Sequence, residues 1–161
     1  MSSEIKIEIL NPFIKGSENI MKTMVAIKEI KRTALHLKND YHFPGDVSAV
    51  MGIGGGITGS MALTMSESSA RFFMGNMLYM DGGELTREEL QDGAGELVNL
   101  ITGSAKSVVV GTPYSFNISI PSIIWGRNHA IWTRKDVPCI VIVMNADGHD
   151  FALQICVKEG N

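Results

Sequence analysis

Residues 84–109, ELTREELQDGAGELVNLITGSAKSVV, constrain the chain more than any other stretch, because they dictate a long helix with one face that must be buried. Thr86 is placed to cap its start, and Glu89, three residues on, closes a capping box. Leu90, Ala94, Leu97 and Ile101 recur at i, i+4, i+7 and i+11. At about 100° per residue they fall within a band about 60° wide. Asp92, Glu96 and Asn99 form a second band of similar width, centred about 180° to 200° from the first. Gly111 and Pro113 stop the helix near Val109, which gives a predicted span of about 86–109. A polar outer face is ordinary for an amphipathic helix. Asn99 is less ordinary, being a mediocre helix former set in mid-helix two residues after Leu97. Gly95 and Gly103 flank the polar stripe. Each costs about 1 kcal/mol relative to Ala and is expected to let another surface approach the helix backbone.

The rest of the chain supplies a sheet. Residues 45–65 read as a hairpin: Val47, Ala49, Met51 and Ile53 alternate, as do Ile57, Gly59, Met61 and Leu63, with Gly54, Gly55 and Gly56 at the turn. Gly54, Gly56 and Gly59 also fit G-x-G-x-x-G, but a strand follows where a dinucleotide site needs a helix, so that reading is set aside. Residues 4–10 alternate around Ile5, Ile7 and Ile9 and predict a strand. Asn11 then reads as an N-cap and Pro12 as the first helical position of a helix reaching about Ile27. Residues 29–37 predict a further strand. Ser66 caps a helix running to about Tyr79, with Phe72, Phe73 and Met77 inward. Asp81, Gly82 and Gly83 break the chain before the long helix. Residues 116–125, 129–134, 139–145 and 151–157 read as strands, with Pro138 opening the third and Asp147-Gly148 turning between the last two. The fold class is therefore α+β, an antiparallel-rich sheet with helices packed on one face. A length of 161 residues predicts a single domain, 1–161.

Composition excludes several functions. The chain is 45% hydrophobic and 19% charged, with a net charge of −3 and no basic run, so no nucleic-acid partner is expected. No apolar run approaches the length of a membrane span, and no signal peptide is visible, so no membrane association is expected. The four histidines do not fall at metal-ligand spacings, and no metal site is expected. Cys139 and Cys156, in apolar strands, are expected to be buried free thiols, with a disulfide as the minor alternative. Several of the ten methionines sit at inward positions and are expected to fill the core, and Trp125 and Trp132 are expected to pack in the core or at a dimer contact.

The D-x-x-x-E-x-x-N motif at Asp92, Glu96 and Asn99, followed by I-T-G-S-A-K, resembles the signature helix of the CheC/CheX/FliY phosphatases of bacterial chemotaxis. N-P-F at residues 11–13, G-D-V-S at 45–48 and S-I-P-S at 119–122 match the family in the same order. The resemblance runs from about residue 8 to about residue 157. It is closest to CheX, because the first helix carries no second motif: Glu18 is followed at the Asn spacing by Met21. The resemblance implies a cytoplasmic hydrolase that dephosphorylates the aspartyl phosphate of a CheY-like response regulator. Asn99 would orient the attacking water, Glu96 would pair with the regulator's lysine, and Asp92 would support docking or helix structure. Gly95 and Gly103 would let the helix enter the partner's cleft. No cofactor is expected on this chain, the Mg2+ being the regulator's own. A homodimer joined through edge strands is also implied, which light scattering would check. The alternative within the same family is a non-catalytic module of the chemotaxis or flagellar-switch apparatus that binds a response regulator or a receptor deamidase.

Overall fold

A computed structural model describes residues 5–37 and 42–160. The order is α1 (Ile7–Thr23), β1 (Ile30–Leu37), β2 (Gly45–Gly55), β3 (Ile57–Met65), α2 (Glu67–Leu78), α3 (Arg87–Val109), β4 (Phe116–Ile118), β5 (Ser122–His129), β6 (Cys139–Ala146) and β7 (His149–Glu159), with a short 3-10 turn at Gly82–Glu84. The seven strands form one antiparallel sheet ordered β1-β6-β7-β3-β2, with β4 and β5 both paired to the outer side of β2. The fold is α+β, as expected. No described helix is long and apolar enough to cross a membrane.

One face of the sheet is the core. Met51, Met61, Leu63, Met65, Met144, Phe151, Leu153 and Ile155 alternate inward along four strands and meet Leu90, Leu97 and Ile101 of α3 and Phe13 and Met21 of α1. Each of these side chains is 1% exposed or less, so the expected period-2 and period-3.6 patterns close on the same layer. Gly16 lies where α1 crosses α3. A Cβ there would come within 3.2 Å of the Ile101 carbonyl oxygen, so this glycine sets the helix spacing.

Several expectations are corrected. The strand predicted at 4–10, whose residue 4 lies outside the described residues, is instead the first turn of α1. Burial of Ile9, Leu10, Phe13, Ile14, Ser17, Ile20 and Met21 follows the helical period, whereas Ile7, inward in a strand, is 56% exposed. Lys6, not Asn11, is the N-cap, and Pro12 lies inside the helix. The bond lost there would have gone to the carbonyl of Glu8 in the first turn, so the proline interrupts the ladder close to the helix start. The helix ends at Thr23 rather than Ile27, and Ala26 turns the chain at φ 55°.

The strand expected at 129–134 is not formed. Residues 130–138 carry the chain from β5 to β6, past β2, β3 and β7. Four steps of about 4.8 Å put β6 roughly 19 Å to the side of β5, and the segment covers that distance with one turn, closed by the Val137 amide donating to the Arg134 carbonyl at 3.3 Å. It crosses the sheet face opposite the helices. There Gln154 donates to the Ile131 carbonyl at 3.2 Å, and the Thr133 hydroxyl lies 3.0 Å from the Cys139 sulfur. Trp132, on this strap, is 73% exposed beside His42 rather than in the core. Beneath the strap, Cys139 and Cys156 stand directly opposite in the β6–β7 ladder and are joined as a disulfide, with Cα atoms 4.1 Å apart. This corrects the expectation of free thiols. The missing information was register, which brings the two side chains to one face of adjacent strands.

Asp46, near the start of β2, fixes three elements. One carboxylate oxygen accepts from the Glu67 amide at the start of α2 (2.8 Å) and the other from the Asn128 amide at the end of β5 (3.1 Å). These amides, the Glu67 bond first, hold the Asp46 carboxyl below its ordinary value. A depressed folded-state value stabilises the protein above the ordinary carboxylate range, and that contribution fades as pH falls through it, below roughly pH 4. Asp46→Asn should therefore cost about 1 kcal/mol at neutral pH. The gap from wild type should close in acid; urea titrations at pH 7 and pH 3 showing the same gap would refute this.

Candidate functional site

Helix α3 is built as its sequence dictates. The Glu89 amide donates to the Thr86 hydroxyl at 3.2 Å and the Thr86 amide to the Glu89 carboxylate at 3.0 Å, completing the capping box. Leu90, Ala94, Leu97 and Ile101 are fully buried. Asp92, Glu96 and Asn99 are all exposed on the opposite side. Among the described residues, none of these three side chains has a hydrogen-bond or ion-pair partner. Two carboxylates and a carboxamide thus stand free on a helix held along its whole buried length.

They form one wall of an open groove of about 600 Å³. The other wall was not singled out as a site from the sequence, where residues 116–125 read as one continuous strand. The structure breaks it. Ile53 pairs with Ile118 and Val50 with Ser122, so Ser119, Ile120 and Pro121 stand opposite only Met51 and Gly52. This is a β-bulge of one extra residue. The Ser119 amide donates to the Gly52 carbonyl at 3.0 Å, and the Gly52 amide donates to the Ser119 hydroxyl at 2.8 Å. Pro121, which cannot donate to a ladder, was the signal available in the sequence.

Gly95 joins the two walls. It is buried, and a Cβ there would sit 3.2 Å from Ile123 and 3.7 Å from Pro121. A close approach at Gly95 is thus made by this chain's own strand β5. Gly103 has nothing within 4 Å of its missing side chain and stays open to an approaching surface. Among the described residues, no group of His, Cys, Asp and Glu is arranged to hold a metal ion. At the N-terminal end of the helix, Arg87 lies over the half-buried Trp125 ring, 5.0 Å from its centroid, tying α3 to β5 a second time.

The family model described as chemotaxis phosphatase CheX matches residues 47–145, more than half of the chain and all of α3 with the bulge. The chain belongs to the CheX family. Solved structures agree with that membership. A CheC-like superfamily protein from Shewanella sp. PV-4 is 30% identical, with 96% of this chain and 99% of that one aligned at a TM-score of 0.86. Chemotaxis protein CheX from Vibrio vulnificus is also 30% identical, over 94% of this chain and 99% of that one, at 0.84. The CheX in the CheX–CheY–BeF3–Mg2+ complex from Borrelia burgdorferi is 21% identical and shares the fold, at 0.79 over 96% of this chain and 100% of that one. No curated protein sequence matches the chain. As a CheX-family member with one motif helix, the chain places Asp92, Gly95, Glu96 and Asn99 along a single groove, with Gly103 outside it.

Proposed function

We propose that this CheX-family chain hydrolyses the aspartyl phosphate of a CheY-like response regulator, with α3 laid against the regulator's phosphorylation site. The observation that carries this reading is the unpartnered pair Glu96 and Asn99, one turn apart and solvent-facing on a fixed helix. The Borrelia relative seen bound to CheY supports the choice of partner.

The chemistry needs little else. Water attacks phosphorus in line, the bond from phosphorus to the aspartyl oxygen breaks, and inorganic phosphate leaves with the carboxylate restored. The regulator's own Mg2+ and lysine neutralise the phosphoryl oxygens. Asn99 contributes a carboxamide that accepts one hydrogen bond and donates another, so it can fix the direction of a water without a shifted pKa. Glu96 offers a carboxylate for the regulator's lysine, which sets the helix in register. Asp92, a turn earlier, extends the acidic stripe along the same groove.

Phosphate release from a phosphorylated cognate regulator, with and without the chain, tests the reading; no acceleration by the wild-type protein would leave only the non-catalytic alternative. Glu96→Ala should weaken binding of the phosphorylated regulator about 10-fold as well as slow turnover, the amount expected for one charge-assisted contact. An unchanged affinity in a titration would remove the lysine pairing.

A further inference from the structure

The bulge that completes the groove carries an exposed aliphatic side chain on a fixed base. Ile120 is 89% exposed. A lone exposed aliphatic residue needs no explanation, but this one lines the same groove as Asp92, Glu96 and Asn99. Its backbone is anchored on both sides. Ser119 exchanges bonds with Gly52 through its amide and its hydroxyl, and that hydroxyl also donates to the Ile120 carbonyl at 3.3 Å. Pro121 fixes φ on the other side and, with Ile123, rests on α3 at Gly95. Ile120 and Asn99 therefore belong to one rigid unit, with a polar wall facing an apolar one.

Resting on the function proposed above, we infer that Ile120 is a docking residue for the regulator, covered by an apolar side chain beside the regulator's phosphorylation site. Any surface that brings a phosphoaspartate within one water of Asn99 enters this groove and meets its second wall. Asn99 acts on the phosphoryl group, while Ile120 acts only on residence and alignment. Burying an isoleucine is worth enough to change affinity by about 10-fold or more.

Steady-state dephosphorylation and a binding titration with a beryllofluoride-loaded regulator, run side by side, test this. Ile120→Ser should raise KM and Kd about 10-fold and leave kcat within about 2-fold, and Ile120→Leu should restore both. Val108→Ser, at a residue 63% exposed near the end of α3 and outside the groove, should change neither. An active wild type with unchanged KM and Kd in Ile120→Ser overturns the inference and leaves the proposed function standing. So does a fall in kcat alone, which would put Ile120 at the chemical step. Tight binding without turnover overturns the proposed function, while a weakened Ile120→Ser would keep the docking role. Absence of both binding and turnover overturns both.

Discussion

Asn99→Ala should lower regulator dephosphorylation about 100-fold while leaving the fold intact. The side chain is exposed and has no hydrogen-bond partner among the described residues, so its loss orphans no polar group and opens no buried cavity. What it removes is the orientation of a water, and a displacement of about 1 Å at a reacting atom costs about 100-fold, or roughly 2.7 kcal/mol of barrier. Affinity for the phosphorylated regulator should stay near wild type, because Glu96 and the rest of the groove remain. Stopped-flow decay of the phosphoregulator measures the rate, and a melting curve checks the fold. Turnover within a few-fold of wild type would end the assignment. Asn99→Gln is the sharper control. It keeps the carboxamide but moves it by one methylene, so a rate well below wild type would show that placement matters as well as chemistry.

Reducing the Cys139–Cys156 disulfide should lower the unfolding free energy by about 3 kcal/mol, the value expected for closing a loop of this length in the unfolded chain. For a protein of this size that corresponds to a drop in Tm of roughly 6 to 12 °C. The two cysteines lie under the strap, on the sheet face away from α3, so dephosphorylation at room temperature should be unaffected. Paired melts with and without reductant, and of Cys139→Ser with Cys156→Ser, measure the effect. A shift below about 2 °C in both would refute a stabilising bridge.

How much of this was legible depended on whether the decisive interaction was local. The α3 cap, its buried band and its exposed stripe are all set within one helix, so Thr86 to Asn99 could be read directly and the structure agrees. The Gly54–Gly56 turn and the Asp147-Gly148 turn were also local, with Gly55 and Asp147 both at positive φ. Residues 5–10 were ambiguous because Ile5, Ile7 and Ile9 satisfy a strand while Ile9, Leu10, Phe13 and Ile14 satisfy a helix. Packing of α1 on α3 decided it. What could not be read was register between distant segments. The disulfide, the passage 130–138 and the bulge at Ser119–Pro121 all follow from which residue faces which across the sheet. The second wall of the groove was hidden for that reason, although its proline was in plain view.

The strand order carries a consequence for how the molecule is made. Among the described strands β1 pairs with β6, with Ile30 opposite Ala146 and Leu37 opposite Ile140. More than a hundred residues must leave the ribosome between the two partners. β1 thus waits for nearly the last piece of the chain. Closing so large a loop before any reward arrives makes for slow assembly. The newborn protein is therefore most exposed to mispairing while its motif helix is already complete.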